Sequence, residues 1–274
     1  MNSFSDLHIQ RKLSQGGFGS VFQGVIKKGP RKVMCAIKII DNAHMDKGSK
    51  YLHEIDILKM IQSEKCFPKI YDIEENTLSK KIFIVHELLG PNLYEVIKRA
   101  NFKDMKAIVL KNNFMVVDAI KCLFKLHSHG ILHCDIKLAN FCIPLNPAKK
   151  MRLYLIDFGL SSKAKDKQAF TVKGTLPYIS PFILVHCSYN YIDDLISLFY
   201  SLAEVYIVLP WDGITSWDAV QELKLKTSFE SLACATSNKA LKYVGKYIDA
   251  FLSCNMIDYD KEIDYISLIK LLRN

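Results

Sequence analysis

The chain has 274 residues, half apolar and a quarter charged, a globular composition that excludes a disordered or fibrous chain. Its net charge of +9 (37 basic against 28 acidic side chains) suits either a soluble surface or a partner that carries phosphate. Eight cysteines with no C-x-x-C pair and no His/Cys cluster at zinc spacing argue against a disulfide framework or a structural metal, and for a reducing compartment.

The first six residues lack a basic region followed by an apolar run, so no signal peptide is expected. Residues 8–13 and 21–26 flank a glycine cluster, and Lys28-Gly29-Pro30-Arg31 makes a turn before residues 33–40. This pattern predicts three successive antiparallel strands. Residues 51–62 then carry Leu52, Ile55, Leu58 and Ile61 at helical spacing. Residues 69–73 and 82–87 read as two more strands before Leu88-Leu89-Gly90-Pro91 breaks the pattern. Five strands and one helix thus form a first lobe over residues 1–89.

Residues 90–274 read as a mainly helical second lobe, which makes the fold class α+β with two lobes. A long amphipathic helix is expected over 106–129, with Gly130 as its stop. His127 and His129 are expected to cap its end, where the helix dipole favours cations. Asp193 and Asp194 open a helix that is apolar nearly all round, hence buried. The most apolar stretch, 195–209, is too short to span a bilayer and contains Glu204. Residues 240–253 and 262–272 form the last helices. The length allows either one large domain or two lobes with separate cores.

Chemistry concentrates in His133-Cys134-Asp135-Ile136-Lys137-Leu138-Ala139-Asn140, followed seventeen residues later by Asp157-Phe158-Gly159. An acid able to accept a hydroxyl proton, a lysine and an amide lie close together, and a second acid returns across a hairpin. That set can hold Mg²⁺ and a triphosphate beside a hydroxyl nucleophile. Upstream, Ser14-Gln15-Gly16-Gly17-Phe18-Gly19-Ser20-Val21 fits G-x-G-x-x-G-x-V with serine in the first glycine place. With Leu13 before it, this loop would lie over the phosphates, where a Cβ would be in the way. A glycine cluster alone is more often a plain hairpin. Ala36-Ile37-Lys38 on the third strand, with Glu54 on the next helix, turns the balance, because such a lysine pairs with α- and β-phosphates. Glu87 to Leu89 can offer backbone groups to an adenine edge, with His86 bordering that pocket.

Lys173-Gly174-Thr175-Leu176-Pro177-Tyr178-Ile179-Ser180-Pro181-Phe182 is similar to the G-T-x-x-Y-x-[AS]-P-E run that closes the activation segment of protein kinases, with Phe182 in place of the glutamate. The whole chain resembles a eukaryotic protein kinase. Residues 87–93, Asp157-Phe158-Gly159-Leu160-Ser161, residues 193–198, Leu209-Pro210-Trp211-Asp212-Gly213 and the closing residues 263–274 are similar to casein kinase I signatures. The glycine loop is also close to that of the vaccinia-related and tau-tubulin kinases.

The resemblance implies a bilobal kinase fold, ATP and Mg²⁺ as cofactors, and phosphoryl transfer to serine or threonine in proteins. It implies Asp135 as proton acceptor and Lys137 steadying the transferring phosphate. Asn140 and Asp157 would hold Mg²⁺, Lys38 with Glu54 would position ATP, and Asp194 would orient the catalytic loop. Acidic substrates are expected from Lys149, Lys150, Arg152, Lys163, Lys165, Lys167 and Lys173. Pro177 replaces the arginine usual in a primed-substrate site. Cys134 replaces the arginine that binds an activation-segment phosphate, so activity is expected without a phosphate on Thr171 or Thr175, with Leu176, Tyr178 and Phe182 ordering the segment by packing. No autoinhibitory C-terminal extension of the kind common in animal relatives is expected. A monomer in cytoplasm or nucleus is expected, binding neither nucleic acid nor membrane. The alternative is a pseudokinase scaffold, which would be marked by loss of Lys38, Asp135 or Asp157; all three are present. A small-molecule phosphotransferase fits the 174–181 platform poorly.

Overall fold

Alternation along the third strand decides what each face of the first lobe does. Strands β1 (Leu7–Gly16), β2 (Gly19–Lys28), β3 (Arg31–Asp41), β4 (Ile70–Asn76) and β5 (Lys81–Glu87) pair antiparallel in the order β1-β2-β3-β5-β4. On β3, Cys35 and Ile37 enter a small cluster with Ile26, Phe83 and Val85 on one face. By the period of two, Ala36, Lys38 and Ile40 turn to the opposite face, toward helix α1 (Lys50–Met60). All five expected strands are present. The computed structural model describes residues 7–16, 19–41, 50–76, 78–99, 114–146, 152–164, 171–254 and 261–273.

Helix α1 buries Ile55 and Leu58 as its spacing predicts, together with Glu54, a charged side chain only 3% exposed. The side chain of Leu52 lies outside the described residues, as do residues 106–113 of the long predicted helix. That helix is described from its second half, and the remaining helices are α2 (Leu93–Arg99), α3 (Phe114–Ser128), α4 (Phe182–His186), α5 (Tyr191–Ala203), α6 (Trp217–Lys226), α7 (Phe229–Ala235), α8 (Lys239–Cys254) and α9 (Tyr265–Arg273). Two short antiparallel pairs join β6 (Ile131–Leu132) with β9 (Ser162–Lys163), and β7 (Phe141–Cys142) with β8 (Tyr154–Leu155).

Helix α5 is the centre of the second lobe, buried from Ile192 through Ala203. It starts two residues before the predicted acids because Asn190 caps it. The Asn190 side chain accepts from the Tyr191 N–H at 2.7 Å, and Asp193 accepts from the Asn190 N–H at 2.7 Å. This reciprocal cap satisfies N–H groups that the first helical turn leaves without partners. It uses Asp193 and leaves Asp194 for another task. Apart from the small cluster on the outer face of the sheet, the buried core of the described residues is not divided between the lobes. One buried cluster runs from Ile40 and Ile55, through Phe158 and Leu198, to Leu272. Apolar side chains beneath the sheet thus reach those around α5, partly through the edge-on contact of Phe67 with Phe158, ring centroids 5.7 Å apart.

Candidate active site

Lys38 and Glu54 meet under the sheet. Lys38 Nζ donates to Glu54 Oε1 at 2.6 Å and to Asp157 Oδ1 at 3.0 Å. Burial would lower the Lys38 pKa, but the Glu54 and Asp157 carboxylates outweigh it and the pKa is raised. Burial raises that of Glu54, with Lys38 opposing. For Asp157 burial is again the largest influence and raises the pKa. Lys38, His133 and Lys137 together overcome it, and Asp157 stays below the usual carboxylate range. The outcome is a lysinium bridging two acids, with Asp157 ionised and its side chain 41% exposed. Asp157 also sits at φ +64°, in the left-handed region that costs a non-glycine residue about 1–3 kcal/mol.

The catalytic-loop residues are knit together by their own side chains. Asp135 Oδ2 accepts from Lys137 Nζ at 2.8 Å, and Asp135 Oδ1 accepts from the Thr175 hydroxyl at 2.6 Å. Lys137 Nζ also donates to Thr175 Oγ1 at 2.9 Å. Asn140 Nδ2 donates to the Asp135 carbonyl at 2.8 Å. His133, fully buried, donates from Nε2 to the Ile156 carbonyl at 3.1 Å and accepts at Nδ1 from the Asp135 N–H at 3.3 Å. Its ring meets Phe158 edge-on at 5.4 Å, which fixes the residue after Asp157 against the loop.

From behind, Asp194 accepts the His133 N–H at 2.7 Å and the Cys134 N–H at 3.0 Å. This is the orienting role that the resemblance implied. Ser201, two turns along α5, accepts the Leu138 N–H at 2.8 Å. Cys134 is buried at φ +64°. Its thiol lies 3.4 Å from the Ser162 hydroxyl, and burial raises its pKa, so it is a neutral packing group. Its carbonyl passes 2.8 Å from where a Cβ on Gly174 would stand, and Gly174 has φ +104°. Only glycine fits both demands there.

The glycine-loop candidates Leu13, Ser14, Gln15 and Gly16 end β1, and Gly19, Ser20 and Val21 begin β2. Gly17 and Phe18 lie outside the described residues. Register carries this hairpin toward the lysine, since Ser14 pairs with Val21 and Val21 with Lys38. Gly19 takes φ +129°, and a Cβ on it would strike the Ile39 carbonyl, so the turn needs glycine. Ala36 sits two residues from Lys38 on the same face. Glu87 and Leu89 lie at the exit of β5, where the Gly90 N–H donates to the Ile143 carbonyl at 2.9 Å and ties this joint to the second lobe. His86 sits on β5 opposite Ala36, and burial drives its pKa down to about 4, so it is a neutral wall.

Thr175, His127 and Lys224 are among the residues whose parts in the site no local sequence signal announces. The sequence reads Thr175 as part of the substrate platform and as a candidate phosphate site, yet its hydroxyl is bound to Asp135 and Lys137 inside the site, so Thr175 is no free regulatory position. The Gly174-Thr175 pair marks only the start of the platform. The sequence predicts a helix cap at His127, which is instead buried beside Asp194, whereas His129 lies 3.6 Å from Glu64. Lys224 is 2% exposed and donates to the carbonyls of Leu176 at 2.8 Å and Ile179 at 2.7 Å. It also lies 5.1 Å from the Tyr200 and Trp211 ring centroids. Where Phe182 has replaced a glutamate, this lysine holds the segment from below. Leu176, Tyr178 and Phe182 pack on the main core as expected. Tyr189 closes the other end by accepting from the Lys173 N–H and donating to its carbonyl at 2.6 Å.

The donors around Asp157 and Asn140 are hard oxygens, one of them an ionised carboxylate, which suits Mg²⁺. Among the described residues no cluster of three or more His, Cys, Asp or Glu side chains forms a further metal site, and no helix is long and apolar enough to cross a membrane.

Residues 7–260 match the family model described as the protein kinase domain. A Dictyostelium discoideum protein named "Probable serine/threonine-protein kinase" is 32% identical over 230 residues, covering 80% of this chain and 44% of its own length. A second so named from the same organism is 31% identical over 192 residues, 65% of this chain and 27% of its own. The chain therefore spans less than half the length of these curated relatives. The five-stranded sheet, the lysine–carboxylate pair beneath it and the match over nearly the whole sequence agree: this chain belongs to the protein kinase domain family.

Proposed function

We propose that the chain is an active serine/threonine protein kinase of casein kinase I type, using ATP with Mg²⁺. The observation that carries this reading is the joined polar set. Lys38 is bound at once to Glu54 and Asp157, and Lys137 is bound at once to Asp135 and Thr175. In kinases the strand lysine, its helix partner and the Asp-Phe-Gly aspartate must all be in place for transfer. Bound Mg-ATP supplies the electrophilic phosphoryl group. Asn140 and Asp157 would hold the metal, and Lys38 the α- and β-phosphates. Asp135 orients the incoming hydroxyl and accepts its proton, and Lys137 neutralises charge that builds on the transferring group. A pseudokinase scaffold is disfavoured because no member of this set is missing.

Substrates with serine or threonine in acidic surroundings suit the cationic side of the platform, of which Arg152, Lys163 and Lys173 are described. One observation favours a second reading. The Tyr178 hydroxyl donates to the exposed Glu204 at 2.6 Å, and Asp212 also acts on Tyr178, so the opposite side of the platform is acidic and would take a basic residue. Eight free thiols suit a reducing compartment, cytoplasm or nucleus.

The test is an arrayed peptide library incubated with Mg-ATP and protein co-expressed with a phosphatase. Transfer to serine and threonine, strongest in acidic contexts, is expected without phosphate on Thr171 or Thr175. Best turnover on basic peptides would replace the acidic reading with the second one. Absence of any transfer would leave the scaffold.

A further inference from the structure

Behind the catalytic loop lie a buried histidine and a buried tyrosine that the scheme above does not use. His127, in the last turn of α3, has a side chain 5% exposed. Its Nε2 is 3.0 Å from Asp194 Oδ2, and its Nδ1 is 2.8 Å from the hydroxyl of Tyr265 on α9. The same Asp194 oxygen accepts the His133 N–H. The chain of contacts therefore runs from the last helix of the fold to the backbone one residue before Cys134 and two before Asp135.

The Asp194 carboxylate fixes the direction of the bonds it receives. Burial would raise the Asp194 pKa, but the bond from His127, the nearby His127 and His133 rings and the His133 N–H lower it, so this carboxylate is ionised and accepts only. Nε2 must then carry a proton. With a lone pair left at Nδ1, that ring would take a hydrogen bond from the Tyr265 hydroxyl. Burial and the Asp194 charge keep the Tyr265 hydroxyl protonated. The hydrogen bond at one ring nitrogen thus fixes what the other does. Such a fixed ring matters because Cys134 holds a left-handed backbone conformation that relaxes unless its neighbours restrain it.

We propose that Tyr265 is a positioning residue for phosphoryl transfer: its hydroxyl sets the His127 ring in the tautomer that lets Asp194 clamp the His133–Cys134 backbone and so aim Asp135. The inference rests on the reading of Asp135 as the acid that orients the hydroxyl. The Tyr265 ring also packs on Phe124 at 5.7 Å and on His127 at 5.6 Å, contacts that phenylalanine keeps.

The experiment compares the full chain with Tyr265→Phe in steady-state peptide phosphorylation, thermal melting and nitrogen NMR of the histidine rings. A folded Tyr265→Phe variant should lose about tenfold in kcat, with KM for ATP and for peptide unchanged within about twofold. In wild type the His127 resonances should report a proton on Nε2 and an accepting Nδ1, and the Nδ1 signal should move in the variant. In a His127→Ala background, Tyr265→Phe should have no further effect. An unchanged kcat in folded Tyr265→Phe, or losses that multiply in the double variant, would overturn the proposal. So would a wild-type ring that carries a proton on Nδ1, with or without one on Nε2, a result that needs no variant to fold. Full activity of Asp135→Asn would instead refute the assignment of Asp135, while the ring signals and the double variant would still test Tyr265.

Discussion

The catalytic loop and the glycine-rich hairpin lie on either side of the same candidate site, and they are held in opposite ways. The loop backbone is buried and gripped from three directions, by Asp194 at His133 and Cys134, by Ser201 at Leu138, and by Asn140 at the Asp135 carbonyl. The hairpin is exposed from His8 through Gln15 and is held by a strand ladder that slips at Ile9/Arg11 and Lys12/Ser14. Buried donors without partners are costly, whereas exposed ones turn to water. One side of the site is therefore fixed by interactions whose loss would unfold it, and the other is free to adjust to a ligand.

Asp194→Ala should break this contrast most severely, because it strands two backbone N–H groups and the His127 ring donor together. A loss of about 4 kcal/mol in denaturant titration is expected, with Asp194→Asn losing less because one oxygen remains. Lys38→Met should come next. It leaves Glu54 buried opposite Asp157, and the Oε2 of Glu54 already lacks a hydrogen-bond partner among the described residues. A loss of about 3 kcal/mol is expected, partly recovered by adding Glu54→Gln, while turnover stays abolished in both.

Lys224→Met sharpens the comparison through pH. An ordinary lysine keeps its proton to 10.5, but burial brings that of Lys224 down to about 7. Between these values the unfolded chain binds more protons than the folded one, so this group makes stability rise with pH across that window. Below pH 7 the folded state carries the buried charge, and above it the neutral amine still has two N–H donors for the Leu176 and Ile179 carbonyls. Melting at pH 6.5 and 9 should show wild type gaining relative to Lys224→Met at the higher pH. Equal shifts in both proteins would contradict it. Gln15→Ala should have the smallest effect, within about 0.5 kcal/mol, since its exposed side chain is bound to Lys12 on the surface. A larger loss would show that the hairpin is not the adjustable side.

How much of this was legible depended on whether the signal was local. Strands with period two, the Lys38–Glu54 pair and the spacing of Asp135, Asn140 and Asp157 are written in short stretches, and the fold places them as expected. Asp193 and Asp194 were legible as a helix start, but not that one caps the helix and the other holds the loop. Thr175 contacts Asp135 across 40 residues and Tyr265 meets His127 across 138, and no periodicity reports such pairings. Lys224 reads as a surface charge on a weakly amphipathic helix; only the missing glutamate at Phe182 hinted that a substitute was needed.

The central claim is that Asp135 carries out proton acceptance in a loop whose shape is set by other residues. Asp135→Asn keeps the side-chain volume and an oxygen for the Thr175 hydroxyl. Turnover on the preferred peptide should fall about 10³-fold, with melting and calorimetric Mg-ATP affinity close to wild type. Turnover within a few fold of wild type would contradict the account.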